Sequence, residues 1–230
     1  MGKILRRTLL IGTAAIAGGV AFGTYYVKSD YDNPLEGKTA EGESTFNPYV
    51  KITKDNQVTI IVPRAEMGQG VTTSLAALVA EELDVDMAAI KVEHGPASHA
   101  YYNAGMMEDG SPFPAYERGW MADTTRSALA GVGKVLGLQL TGGSSATKDA
   151  WIKMREAGCA ARETIKLAAA KKLNVSAESL KTENGHVING DQKIPYGELA
   201  VAAAALTPPS GMKLKPQADW KILGKPVPRT

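Results

Sequence analysis

The chain has 230 residues, of which 44% are hydrophobic and 22% are charged, a composition typical of a globular protein. Its 26 basic and 24 acidic side chains leave a formal net charge of +2, and no basic run is interleaved with aromatics, which argues against a nucleic-acid partner. The one cysteine, Cys159, cannot form an internal disulfide and cannot hold an iron–sulfur cluster by itself. We therefore expect no such cluster on this chain and interpret Cys159 as a packing residue.

Residues 1–27 are predicted to be an export signal. Arg6 and Arg7 precede an uncharged stretch over positions 8–27, the layout of a basic region followed by an apolar one. The pair resembles a twin-arginine signal, although Leu5 stands where that signal usually has Ser or Thr. The alternative is a membrane anchor, because 20 uncharged residues can just span a bilayer. The stretch is rich in Gly, Ala and Thr, which favours export, and we expect a periplasmic protein with amino-terminal anchoring as the alternative.

The next part of the chain alternates polar and β-branched segments. Residues 28–47 are polar and are predicted to be a linker. Residues 49–53 and 58–62 predict a hairpin, residues 72–83 an amphipathic helix with Glu81 and Glu82 facing water, and residues 90–93 a short strand.

The second half begins with a long irregular stretch, residues 95–140, of the kind that is functional or mobile. A long helix follows, capped by Ser145 or Thr147 and ending near Leu173, with a stripe of residues that we expect to be buried: Trp151, Met154, Gly158, Ala161, Ile165, Ala168 and Ala169. Asn184-Gly185 predicts a second hairpin, residues 196–206 a last helix, and residues 208–230 an extended tail. The fold class predicted is α+β, with β-hairpins and a short strand packed with three helices, and a main domain over residues 48–207.

Two glycine-rich turns stand before helices. Residues 64–70 (RAEMGQG) and 141–147 (TGGSSAT) bring backbone amides and a positive helix end to a place that a ligand can approach. The first is not a Rossmann fingerprint, because Thr73 replaces the third glycine and a hairpin precedes the motif. Such turns suit a phosphorylated ligand or a polar heterocycle, but a plain tight turn and an ordinary helix cap explain them equally well.

The same turns carry a family resemblance that runs in order from about Asn47 to the last residue. The chain resembles the molybdopterin-binding subunit of isoquinoline 1-oxidoreductase and of membrane-linked aldehyde dehydrogenases, within the xanthine dehydrogenase-type molybdenum hydroxylases. The matching segments are Val62–Val71 with Leu78–Leu83, Gly142–Ser145 with Arg155–Gly158 and Ala161–Glu163, Glu183–Gly185, Tyr196–Leu199 and Gly224–Arg229.

The resemblance implies a cofactor and partners. The cofactor is molybdopterin, as the molybdenum cytosine dinucleotide, and the reaction is hydroxylation of an aldehyde or an aromatic N-heterocycle with oxygen from water. The partners implied are a small subunit with [2Fe–2S] clusters, a chain or domains that complete the molybdenum site, and a membrane cytochrome c. Carried over by motif, the cofactor-binding residues are Met67, Gly68, Gln69, Gly70, Gly143, Ser144, Ser145 and Thr147.

The family continues past the Pro228-Arg229 pair into further domains that supply its base glutamate. Glu66 does not match that residue, so no catalytic residue is assigned and we expect the chain alone to be inactive. It would be half of a split subunit, a truncated product or the first piece of a longer protein. The alternative is an exported, non-catalytic binding or assembly module. A metal site at His94, His99 or His186 is disfavoured because these residues are scattered.

Overall fold

A computed structural model describes residues 31–230. The predicted export signal, with its twin arginines, lies outside these residues. Within the described residues, none of the helices has the length and apolar character needed to span a membrane.

The first sheet has four strands in the order β1-β2-β3-β4. The strands are β1 Glu43–Asn47, β2 Val50–Thr53, β3 Val58–Val62 and β4 Ile90–His94. The predicted hairpin is β2–β3, with Ile52 opposite Val58. Strand β4 lies parallel to β3, which requires a crossover, and helix α1 (Val71–Leu83) provides it. Strand β1 falls inside the segment interpreted as a linker and pairs with β2.

A second, smaller sheet contains the Asn184-Gly185 hairpin. It comprises β5 Lys181–Glu183, β6 His186–Asn189 and β7 Gln192–Pro195, and its third strand is an addition to the predicted hairpin. The remaining helices are α2 Gly105–Glu108, α3 Trp120–Leu136, α4 Ser145–Leu173 and α5 Tyr196–Ala204. The α+β class is confirmed, with five α-helices in the described residues where the sequence predicted three.

Helix α3 is the main element that the sequence reading of residues 95–140 missed. Its 17 residues include Gly131 and Gly133, which are poor helix formers. The residues it buries are small or polar, whereas Trp120 and Leu136 are exposed. The usual signal, an apolar stripe on the buried face, is therefore absent.

The core forms where α1 crosses α4 above the first sheet. A Cβ on Gly158 of α4 would stand 2.6 Å from the carbonyl oxygen of Val79 in α1, so only glycine permits this approach. Leu75 and Leu78 of α1 and Ile165 of α4 are fully buried in the contact. The predicted stripe of α4 is thereby confirmed, except that Trp151 is only partly buried.

The prediction that Glu81 and Glu82 face water is wrong. Eleven of the 13 residues of α1 are buried, both glutamates included. One carboxylate oxygen of Glu81 accepts hydrogen bonds from three tail amides, those of Lys221, Ile222 and Leu223, at 2.9, 2.6 and 3.1 Å. Burial alone would raise the pKa of Glu81, but these amides and the Lys215 charge outweigh it and lower the pKa. The acidic pair anchors the tail instead of solvating a helix face.

Candidate functional site

The two glycine-rich turns line one open cleft of about 560 Å³, although 70 residues separate them in sequence. The first turn contributes Met67 and Gln69, and the second contributes Gly143 and Ser144. The other lining residues are Val71, Ser74, Thr141, Gly142, Ala146 and Thr147. Of the eight residues implied by the resemblance, five therefore line the cleft, and Gly68, Gly70 and Ser145 do not.

A side chain that sequence reading did not single out connects the turns. The amide of Ala65 donates a hydrogen bond to the Thr141 hydroxyl oxygen at 2.8 Å. Thr141 is the first residue of the second turn, so this bond sets the distance between the two walls of the cleft. The spacing of the motifs in sequence gives no signal for such a contact.

A buried ion pair connects the two turns inside the protein. The Arg64 guanidinium donates to Asp149 at 2.8 Å, and both side chains are almost fully buried. Asp149 also accepts from the amide of Ala104 at 2.8 Å and from Lys153 at 2.7 Å. Burial lowers the pKa of Lys153, although Asp149 opposes that effect. Since Arg64 is the first residue of the first glycine-rich turn and Asp149 lies near the start of α4, the pair holds both cleft walls in register.

The first turn satisfies its own amides. The Glu66 carboxylate accepts hydrogen bonds from the amides of Gly68, Gly70 and Thr72 at 2.8, 2.9 and 3.0 Å. These bonds, the strongest from Thr72 and Gly70, lower the pKa of the exposed Glu66 to about 2. An anion from the chain itself thus occupies the start of α1, where the sequence suggested a place for a phosphate.

Gln69 also bonds within the first turn. Its side-chain oxygen accepts from the amide of Met67 at 2.6 Å, and its side-chain nitrogen donates to the carbonyl of Ala65 at 2.9 Å. Gly68 and Gly70 adopt φ values of 95° and 79°, which favour glycine. Apart from the adjoining residues, nothing in residues 31–230 lies within 4 Å of a Cβ built on Gly68, so the backbone there is open to a ligand.

The second turn has a different arrangement. Gly143 and Ser144 are consecutive left-handed residues, with φ of 56° and 55°. Ser144 is the residue at the cap of the 29-residue helix α4, and its own side chain makes no capping hydrogen bond. Since the first amides of a helix have no partner within the helix, this end remains available to an anion.

The prediction that Ser145 or Thr147 caps α4 is wrong. Ser145 is the first helical residue, and its buried hydroxyl donates to the carbonyl of Gly142 at 2.7 Å. It also accepts from the Asn103 side chain at 2.8 Å. Ser145 therefore shapes the turn from inside the protein, whereas Ser144 and Thr147 line the cleft.

A somewhat larger cavity, of about 630 Å³, lies elsewhere. It is lined mainly by apolar and aromatic groups, with Tyr49, Lys153 and Cys159 among them, and includes neither turn. Cys159 is buried, and desolvation raises its thiol pKa, which fits the expected packing role. In the described part of the chain, no group of three or more His, Cys, Asp or Glu side chains is arranged to hold a metal ion.

Comparison with known proteins shows what the chain is similar to. Residues 11–111 match the family model of the molybdopterin cofactor-binding domain. The family resemblance is confirmed. The first turn lies inside the range matched to the molybdopterin cofactor-binding domain, and the second lies beyond it.

Two curated relatives extend over nearly all of the chain. The isoquinoline 1-oxidoreductase subunit beta of Brevundimonas diminuta is 27% identical over 99% of this chain. The membrane-bound aldehyde dehydrogenase [pyrroloquinoline-quinone] of Gluconacetobacter polyoxogenes is 25% identical over 96%. The chain spans only 30% and 25% of the lengths of these two relatives.

Similar solved structures include the quinoline 2-oxidoreductase of Pseudomonas putida 86, with 22% identity and a TM-score of 0.37. It matches 71% of this chain and 17% of its own. The reconstituted CO dehydrogenase of Oligotropha carboxidovorans has 20% identity and a TM-score of 0.43, over 69% of this chain and 16% of its own.

Proposed function

We propose that this chain forms part of the cofactor site in a molybdenum hydroxylase and holds molybdopterin between its two glycine-rich turns. The observation that supports this most strongly is that two turns from distant parts of the sequence line one cleft. A cleft of about 560 Å³ lies within the usual range for small-ligand sites. Met67 and Gln69 would form one wall, with Gly68 and Gly70 shaping the turn that carries them, and Gly143, Ser144 and Thr147 would form the other. Ser145 would act by shaping the second wall.

The difference between the turns suggests how the cofactor lies. Its phosphate end would bind at the second turn, because the start of α4 has no side-chain cap. The first turn, with its amides bonded to Glu66, would contact the pterin through the open backbone at Gly68 and the side chains of Met67 and Gln69. Opposite ends of the cofactor would thus meet walls of different charge.

The bound cofactor would supply hydroxylation of an aldehyde or an aromatic N-heterocycle, with oxygen taken from water. We extend the proposal to the form of the cofactor, the cytosine dinucleotide. We also extend it to three partners: a [2Fe–2S] small subunit, a chain or domains that complete the site, and a membrane cytochrome c.

Twin-arginine export to the periplasm, signalled by Arg6 and Arg7, completes the proposal and is tested by replacing both with Lys. Retention in the cytoplasm is expected, because the pathway reads the arginine pair and not charge alone.

The cofactor assignment is tested by metal analysis of the complex purified from cells that express Gln69→Ala or Ser144→Ala. Gln69→Ala should strongly reduce the molybdenum content, because it removes a cleft wall and the two hydrogen bonds that shape the first turn. Ser144→Ala should reduce it less, because backbone amides at the start of α4 remain. Gln192→Ala, which removes an exposed glutamine of β7 outside the cleft, serves as the matched control.

A thermal melt of each variant separates loss of cofactor from loss of fold. Full molybdenum occupancy in Gln69→Ala would refute the assignment of the first turn. The second candidate function is an exported module without a complete site. It is favoured by Glu66, because this carboxylate already accepts the hydrogen bonds of the amides at the start of α1. That function predicts a wild-type complex free of molybdenum.

A further inference from the structure

The tail of the chain returns to the first glycine-rich turn. Lys215 bonds Asp84 at 2.6 Å near the end of α1, and the tail amides over residues 221–223 bond Glu81. At the other end of the helix, the amide of Thr230 donates to the Thr73 hydroxyl at 3.0 Å. The tail is thus attached at both ends of α1, and this attachment fixes the position of Arg229.

Arg229 lies directly against the first turn. Its guanidinium Nη2 donates to the carbonyl oxygen of Gly68 at 2.6 Å. The same nitrogen lies 3.9 Å from a Cβ built on Gly70. The side chain is exposed, and a guanidinium has five N–H donors, so one bond to Gly68 leaves donors for a ligand.

The charges around the cleft require a cation at this place. Glu66 puts a carboxylate into the first turn, and its low pKa keeps it ionised at neutral pH. A phosphorylated ligand in the cleft would be repelled by that charge unless a cation lay nearby. Lys148 in the first turn of α4 is paired with Asp109 at 2.7 Å and with Glu108 at 3.5 Å. Arg229 forms no ion pair with any residue that the structure describes.

We propose that Arg229 is a phosphate-binding residue beside the cleft: the tail places it against the first turn, from which it would contact the phosphate end held at the second turn and offset the Glu66 charge. The proposal rests on the proposed function, in that it needs an anionic ligand between the two turns. It adds a residue from the far end of the chain to a site that the two glycine-rich motifs alone did not define. Arginine suits this role because its planar fork binds phosphate oxygens in pairs.

The test is titration of the purified full-length chain with inorganic pyrophosphate by isothermal calorimetry at low ionic strength. The variants are R229Q, the charge-retaining R229K, and K225Q, an exposed tail residue whose loss changes the net charge equally. R229Q should weaken pyrophosphate binding about tenfold or more, as expected for loss of charge-assisted hydrogen bonds. R229K should recover part of the affinity, and K225Q should stay within about twofold of wild type.

The outcomes separate this inference from the function on which it rests. If the wild-type chain binds no pyrophosphate, the anion cleft is refuted, and the role of Arg229 with it. If the wild type binds and R229Q binds equally well, only the inference about Arg229 is overturned. A loss in R229K as complete as in R229Q, with a lowered melting temperature in both, would also overturn it, because Arg229 would then act only by bracing Gly68.

Discussion

The two glycine-rich turns resemble each other in sequence but differ in how they treat their backbone amides. The first directs the carboxylate of Glu66 onto three amides at the start of α1. The second places Ser144 at the cap of α4 without any side-chain capping bond. One helix start is therefore occupied by the chain itself, and the other is left for something else.

The difference shows that a Gly-rich turn before a helix does not by itself identify an anion site. The deciding residue is the one that reaches back to the amides, here a glutamate two residues before Gly68. Where such a residue is present, the turn is pre-shaped and carries negative charge. Where it is absent, the helix end keeps its positive potential.

The largest effect is expected from the ion pair that holds the turns together. Asp149→Ala should destabilise the protein by roughly 3–5 kcal/mol, because it leaves the Arg64 guanidinium buried without its partner. Lys148→Ala, at the neighbouring position, removes only exposed ion pairs and should cost about 0–1 kcal/mol. Urea unfolding of the two variants measures the difference, and equal losses would show that the pair does not fix the cleft walls.

A smaller loss is expected at the tail anchor. Glu81→Ala removes the acceptor of three partly buried amides and should cost roughly 1–3 kcal/mol. It should also free the tail and so lower pyrophosphate affinity in the same direction as R229Q. Calorimetric titration checks this coupling, and unchanged pyrophosphate binding in a folded Glu81→Ala protein would show that the tail does not position Arg229.

The Glu66 carboxylate gives the first turn a pH dependence that the second lacks. A carboxyl whose folded pKa is lowered stabilises the protein fully above its unfolded pKa, near 4.5, and this contribution is lost as pH falls towards 2. The melting temperature of wild type should thus exceed that of Glu66→Gln above about pH 5, and the gap should close between about pH 4.5 and 2.

The control for the pH experiment is Ser144→Ala. This substitution leaves the Glu66 carboxylate in place, so the variant should follow the wild-type pH profile. A gap between wild type and Glu66→Gln that stays constant down to pH 2 would contradict the capping role of Glu66.

The sequence predicted the elements whose apolar residues alternate or recur regularly, including the hairpin β2–β3, helix α1 and the span of α4. It failed where burial depends on distant partners. Glu81 and Glu82 were placed in water because acids usually lie there, whereas tail amides about 140 residues later account for the burial of Glu81 and the Arg155 guanidinium accounts for that of Glu82. Helix α3 was missed because it buries small residues and exposes large ones.

The candidate site shows the same limit. The residue types of the two turns predicted ligand binding, and Met67, Gln69 and Ser144 do line one cleft. The sequence could not indicate that Thr141 joins the turns, that Glu66 fills one of them, or that Arg229 returns to it. Each of these contacts depends on chain segments brought together only by the fold.

The smallest expected effect concerns the backbone of the second turn. Ser144 has a left-handed φ of 55°, which costs a non-glycine residue energy that glycine avoids. Ser144→Gly should therefore raise stability by up to about 1 kcal/mol, after allowance for the greater entropy of glycine in the unfolded chain. Ser144→Ala should change stability by less than about 0.5 kcal/mol, because the serine hydroxyl makes no capping bond.

If Ser144→Gly is more stable but binds pyrophosphate more weakly than wild type, the serine is retained for its hydroxyl at the expense of stability. If the glycine variant binds pyrophosphate as well as wild type, the hydroxyl makes no contact with the anion, and the backbone amides at the start of α4 account for its binding at this wall.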